Sequence, residues 1–259
     1  LSPASPALAT PVTTISLSGT PGDNFWFLSD VTVTLTATDN VSGVERIEYS
    51  FDNWYTVYIY SSPFIVSNEG ITRVWARAWD NEGHMEPGPP SKEVKIDRTM
   101  PYSTIWKSGG ALGNNGWYVS DMTVTLTGAD NVSGPSVDPL QYSLNGGGWL
   151  NYDGVPLNIS NEGITTILAR IRDNAGILES PPASGEVKID KTTPVTTISS
   201  NGTIGNDNWY TSNVTVTLTA TDSTSGTATT EYSLSGGGSW QTYSLPVTVS
   251  SEGIITVLA

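Results

Sequence analysis

Cysteine is absent from this 259-residue chain, and histidine occurs once, at position 84. Without thiols there is no cysteine nucleophile, no Cys-ligated zinc and no disulfide staple, although compartment stays open on this ground alone. Basic residues are also scarce, 11 against 25 acidic ones, for a net charge of −14. The acidic side chains are scattered, not blocked. Such a surface repels nucleic acid and anionic membrane, so neither is an expected partner. No apolar run approaches the roughly 18 residues that a membrane-spanning helix needs. The chain carries no signal peptide and begins at Leu1, as expected of a processed or excised piece of a longer product. No stretch has helical periodicity.

What is abundant is a pattern. VTVTLTATDNVSG (31–43) returns as MTVTLTGADNVSG (122–134) and as VTVTLTATDSTSG (214–226). Val31, Val33, Leu35 and Ala37 alternate with threonines, so a strand here has one apolar and one hydroxyl face. Branched residues at nearly every position fit a strand and disfavour a helix. Asp-Asn and Gly then end it, the first by capping their own backbone, the last by accepting positive φ.

Pro11, Pro101 and Pro194 open equivalent segments, giving repeats of 90 and 93 residues and a third that runs from 194 to 259. Roughly 100 residues suits a sandwich with its own core, whereas solenoid units are shorter and cannot fold alone. Repeat one reads as Val12–Leu17, the strand above, Val44–Phe51, Tyr55–Tyr60, Phe64–Ser67, Ile71–Trp79 and Glu93–Asp97. About seven short strands joined by Gly/Asn turns is the signature of an immunoglobulin-like or fibronectin-III-like sandwich. The expected layout is an extended Pro/Ala/Ser-rich leader over 1–10, then domains at 11–98, 99–191 and 192–259. The copies agree at Trp26, Trp117 and Trp209, at Trp54, Trp149 and Trp240, and at Glu69-Gly70, Glu162-Gly163 and Glu252-Gly253. These are turn and anchor residues and not a catalytic set. The linkers KIDRTMP (95–101) and KIDKTTP (188–194) end in a proline that fixes φ, so they read as short and stiff.

Ser251–Ala259 aligns with Asn68–Ala76, so the third domain is expected to lack its closing strand. The favoured reading is that the sequence stops before the protein does; the alternative is strand addition, since an open sandwich invites another strand. Residues 1–9 are the candidate donor for strand addition, although Pro3 and Pro6 cannot give ladder hydrogen bonds.

No cofactor is expected, and His84, in the turn DNEGHMEPG, reads as a surface residue. The Asp-Asn turns 39–40, 80–81, 130–131 and 173–174 place oxygen ligands near domain ends. Calcium, if bound, would use Asp39, Asp97, Asp130 and Asp190. It wants roughly 6–8 oxygens, the spacing matches no EF-hand, and each turn is already explained as a cap. Asn40, Asn131, Asn158, Asn201 and Asn213 begin Asn-x-Ser/Thr sequons and are glycosylation candidates. Repeat one adds Trp54, Tyr58, Trp75 and Trp79. With Val74, Ala76 and Ala78 inward, Trp75, Arg77 and Trp79 share the outer face, as a structural ladder, an assembly contact or a sugar-stacking surface.

Through VTVTLTATDNVSG, IEYS, NEGIT and VKIDKTTP the chain resembles the bacterial and archaeal Ig-like repeat modules of secreted and cell-surface proteins. It is similar to the leptospiral outer-surface adhesin repeat that was labelled a β-barrel domain. The resemblance covers 11–259. It implies an extracellular or cell-surface setting and transfers no active site. The expected function is structural and not enzymatic: a rod of Ig-like domains in a stalk, filament or sheath, partnered by other copies or neighbouring domains. The alternatives are an adhesin or carbohydrate-binding module that takes glycans or matrix on the repeat-one aromatic face, and part of an enzyme with its catalytic domain elsewhere.

Overall fold

The structure is a computed structural model and describes residues 10–137 and 140–259. It is all-β. The one helical segment among the described residues is a 3-10 turn at Asn206–Asn208. Repeat one folds as β1 (Val12–Ser18), β2 (Val31–Thr38), β3 (Val44–Ser50), β4 (Tyr58–Ile59), β5 (Phe64–Val66), β6 (Gly70–Asp80) and β7 (Ser91–Ile96). Two antiparallel sheets result, β1-β2-β5 and β4-β3-β6-β7. The alternation in β2 sets the register: Ile15 lies opposite Leu35, Leu17 opposite Val33, and Val31 opposite Val66. One face therefore carries Val31, Val33 and Leu35 into a core with Ile15, Val66, Val74, Ala76, Val94 and Ile96, while Thr36 and Thr38 stay in solvent.

Two elements differ from the sequence expectation. The strand expected over 55–60 shrinks to β4, because residues 51–57 fold into a tight turn. Ser50 Oγ accepts the Trp54 N–H at 2.9 Å, and Asp52 Oδ1 accepts the Thr56 N–H at 2.8 Å. These local bonds compete with a ladder and win. The closing strand begins at Ser91, two residues earlier than expected, because its edge continues pairing down to Trp75.

Repeat two runs as β8 (Tyr102–Ser108), β9 (Met122–Ala129), β10 (Gln141–Leu144), β11 (Leu150–Asn151), β12 (Leu157–Ile159), β13 (Gly163–Arg170) and β14 (Ala183–Ile189). Its sheets, β8-β9-β12 and β11-β10-β13-β14, reproduce the order of the first repeat. Repeat three supplies β15 (Val195–Asn201), β16 (Val214–Thr221), β17 (Glu231–Tyr232), β18 (Gln241–Thr242) and β19 (Val247–Val249). Its sheets have three strands, β15-β16-β19, and two, β17-β18. Residues 251–259 pair with the rest at a β-bridge, Ser233 to Leu258, in the register of Ser50–Trp75 and Ser143–Leu168.

The chain divides into two compact units. One comprises Leu1–Trp106, Thr125–Pro156 and Ile167–Gly185, the other Lys107–Val124, Leu157–Thr166 and Glu186–Ala259. The division passes through repeat two and does not follow a repeat boundary. Residues 1–9, the suggested donor segment, lie outside the described residues.

Candidate functional site

One aspartate-capped turn recurs in each repeat, after its second strand. After β2, Asp39 Oδ1 accepts the N–H groups of Val41, Ser42 and Gly43 at 3.1, 2.8 and 2.9 Å. Asp130 Oδ1 does so for Val132, Ser133 and Gly134 after β9, and Asp222 Oδ1 for Thr224, Ser225 and Gly226 after β16. Burial alone raises the Asp39 carboxyl, but three backbone donors outweigh it and hold it below the ordinary value.

A second repeated device fixes the linker. Asp97 N–H donates to Phe27 O at 2.9 Å, extending β7 past its last residue. Its Oδ1 accepts the Thr99 N–H at 2.9 Å and its Oδ2 the Ser133 N–H at 3.1 Å, so one carboxylate spans from the linker to the Asp130 turn. Glu69 grips the same linker: Oε1 accepts the Arg98 N–H at 2.8 Å and Oε2 the Thr99 hydroxyl at 2.9 Å. The Arg98 guanidinium continues to Asp30 and to the Ser67 carbonyl. The counterpart, within the other compact unit, has Asp190 on Thr192 and Ser225, Glu162 on Lys191 and Thr192, and Lys191 Nζ on Asp121 and the Ser160 carbonyl. Burial raises the Glu69 carboxyl, and the bonds from Thr99 and Arg98 more than offset that, so it lies below the ordinary value. The recurring Glu-Gly pair was legible as a turn. Its glutamate is in fact the linker clamp.

Between Asp97 and the Asp130 turn sits a third carboxylate, Asp173, which ends the β13 arm. One carboxylate oxygen from each of the three lies within 4.8 Å of one from each of the others. Asp97 is fully buried and Asp173 is 1 % exposed. Asp173 Oδ1 accepts the Ile177 N–H at 2.8 Å, whereas the buried Oδ2 atoms of Asp130 and Asp173 have no hydrogen-bond partner. Burial, joined by the charges of Asp97 and Asp130, pushes the Asp173 carboxyl up. Of the four sequence candidates, Asp97 and Asp130 thus converge. Asp39 and Asp190 stand elsewhere, Asp39 near Asp80 and Asp190 near Asp222.

The turn that carries Asp173 also docks onto repeat one. Asp23 N–H donates to Ala175 O at 2.8 Å, and Asn24 Nδ2 to Asn174 O at 2.9 Å. A Cβ on Gly22 would stand 2.5 Å from Ala175 O, so only glycine permits this approach. Beside Asp190 and Asp222, a groove of about 510 Å³ is lined by Asn114, Trp117, Pro194 and Thr227.

On the outer face of repeat one, Arg77 lies 4.2 Å over Trp54 and 5.9 Å from Trp79, and Arg46 lies 4.5 Å over Trp79. Both guanidiniums are bonded to the buried Glu48, at 2.7 and 2.8 Å. Burial raises the Glu48 carboxyl, but bonds from Arg46 and then Arg77 outweigh it, leaving it ionised and lowered. Trp75 has Arg73 at 5.9 Å. Tyr58 belongs to a different cluster, stacked on Tyr49 with centroids 5.2 Å apart, and Tyr49 stacks in turn on Phe64 beside the core. The Trp–Arg pair is not confined to repeat one: Arg170 lies 3.9 Å over Trp149 and bonds Gln141, which stands where Glu48 does.

His84 is held by buried Asp80, Nδ1 to Oδ2 at 2.9 Å. With its side chain 29 % exposed it is half-buried and not free on the surface; burial would raise the Asp80 carboxyl, but the hydrogen bonds from His84 and Glu82 hold it below the ordinary value. Among the described residues no serine hydroxyl bonds to His84, so a Ser-His-Asp arrangement is not assembled there. Asn40, Asn131, Asn158, Asn201 and Asn213 are all exposed.

No protein-family model matches the chain, and no curated protein matches it. Solved structures do. The fibronectin(III)-like modules of Clostridium thermocellum CbhA align over 69 % of this chain and 95 % of theirs, at 15 % identity and a TM-score of 0.33. A structure from a 1.5-MDa bacterial ice-binding adhesin aligns over 93 % of this chain and 84 % of its own, at 14 % and 0.34. The D00-D0 domain of intimin aligns over 68 % of this chain and its whole length, at 12 % and 0.34.

Proposed function

We propose that this chain is a structural module of a cell-surface stalk, filament or sheath, built from tandem Ig-like sandwiches of the kind found in bacterial and archaeal surface proteins. The observation that carries the reading is the clamp repeated at both linkers, with Glu69 and Glu162 each holding two linker groups and Asp97 and Asp190 each reaching the next turn. A linker whose Asp, Arg or Lys, and following Thr are all held resists bending and proteolysis, which a spacer needs and a flexible tether does not. Exposed threonine faces and five exposed sequons suit an extracellular setting. The outer aromatic face supports a structural role over glycan capture, because arginines already lie over the rings of Trp54 and Trp79. Polymerisation by strand addition would use the short β17-β18 sheet as acceptor.

Immunogold electron microscopy of the native source cells tests this reading. Label on external stalks or filaments of intact, unpermeabilised cells is the expected result. Label confined to the cell interior would overturn it. Trp75→Ala separates the binding alternative: that reading predicts weakened glycan or matrix binding with the fold intact, whereas the structural reading predicts none.

A further inference from the structure

We propose that Asp97, Asp130 and Asp173 form a calcium site that fastens the first linker to repeat two. Three carboxylates share one pocket, two of them nearly or fully buried, and among the described residues no Lys or Arg is ion-paired with any of them. Unpaired charge in a low-dielectric interior is costly unless a counter-charge is present. Asp130 and Asp173 are each anchored through Oδ1 by backbone N–H groups, of Ser133 and its neighbours and of Ile177, while Asp97 is held through both oxygens, by the N–H groups of Thr99 and Ser133. Anchoring of that kind orients ligands before an ion arrives. The buried Oδ2 of Asp173, a residue 1 % exposed, has no partner, and such an orphaned acceptor marks a missing donor or ion; Asp130 Oδ2 is also unpartnered, as is its counterpart Asp39 Oδ2 in repeat one. Oxygens within 4.8 Å of one another can close on a central ion at the roughly 2.3–2.6 Å typical of calcium. Carboxylate-only ligation on irregular turns suits calcium better than magnesium, which demands near-octahedral geometry and keeps its waters.

Repeat one supplies an internal comparison. Its Asp39 and Asp80 occupy the positions of Asp130 and Asp173, and residues 1–9, LSPASPALA, offer no acidic residue to match Asp97. There the second aspartate receives His84 at 2.9 Å. In repeat two the residue at the place of His84 is Ile177, which has no side-chain donor, and the linker brings Asp97 instead. One copy meets its aspartate with an imidazole, the other adds a third carboxylate. The second arrangement is the one that a cation would complete.

The test is calcium titration of the chelator-treated full chain by calorimetry, with thermal unfolding at matched concentrations, on wild type, Asp173→Asn and Ile177→His. Expected are calcium binding at millimolar or tighter affinity and a rise in Tm in calcium. Asp173→Asn should weaken binding at this site at least about tenfold, since even outer-shell partners cost about 10–100-fold. Ile177→His should raise the Tm of the chelated protein and shrink the calcium response, which keeps the proposal testable where Asp173→Asn fails to fold. No heat and no Tm shift in about 10 mM calcium, well above the weakest extracellular sites, would overturn the site. So would undiminished binding by folded Asp173→Asn. An equal response to magnesium would overturn the assignment to calcium.

Discussion

Phe25 is 90 % exposed and sits at φ 63°, in the left-handed region, as the second such residue of a tight turn after Asn24. The same position is Gly116 in repeat two and Asn208 in repeat three, residue types that adopt this conformation at low cost. An aromatic there is strained and shields nothing. Phe25→Gly is therefore expected to raise stability by about 1 kcal/mol, read as an increased denaturation midpoint with unchanged slope. Trp54 also has positive φ, 71°, but its ring covers Arg77, so there the packing of a cation on an indole offsets the strain.

At the scale of elements, β2 separates its two faces cleanly. Leu35→Ala is expected to cost about 2–5 kcal/mol, whereas Thr36→Ala, one residue along on the exposed face, should stay within about 0.5 kcal/mol; urea melts of the two variants check the contrast. The linker clamp gives a pH signature. Glu69 titrates lower folded than its ordinary 4.5, so it contributes stability above that value which is lost as pH falls through the folded one. Thermal melts from neutral to acid pH should show Tm declining in this window, and Glu69→Gln should flatten that decline and cost about 1 kcal/mol at neutral pH, its side chain being 30 % exposed.

Across the whole molecule, the succession of strands in the first repeat and its recurrence were readable because period-two alternation and Gly/Asn turns are local signals, whereas the order of strands within each sheet was not. The carboxylate cluster was half readable. Asp97, Asp130 and Asp173 each stood out as aspartates near sandwich ends, but that these three meet depends on the Asp173 turn returning to a linker 76 positions earlier in the sequence, which no local pattern encodes. The same holds for Trp149 on Arg170, where Asn145 and Gly146 reshape the turn without losing the stack. Local bonds around Ser50 and Asp52 likewise shortened β4 in a stretch whose composition favours a strand.

The clamp has a genetic consequence. Glu69 reads a backbone N–H and a threonine hydroxyl, both of which Arg98-Thr99 and Lys191-Thr192 offer equally. Splicing Asp97 directly to Lys191, which removes one repeat length, should hand Glu69 the same two groups and Asp97 the turn of Asp222. Such a deletion is expected to yield a folded, cooperative protein, and loss of cooperative melting would refute the equivalence of the seams. A coding sequence with interchangeable seams can lengthen or shorten by unequal recombination without passing through a misfolded intermediate, so copy number in such an array is free to drift or be selected.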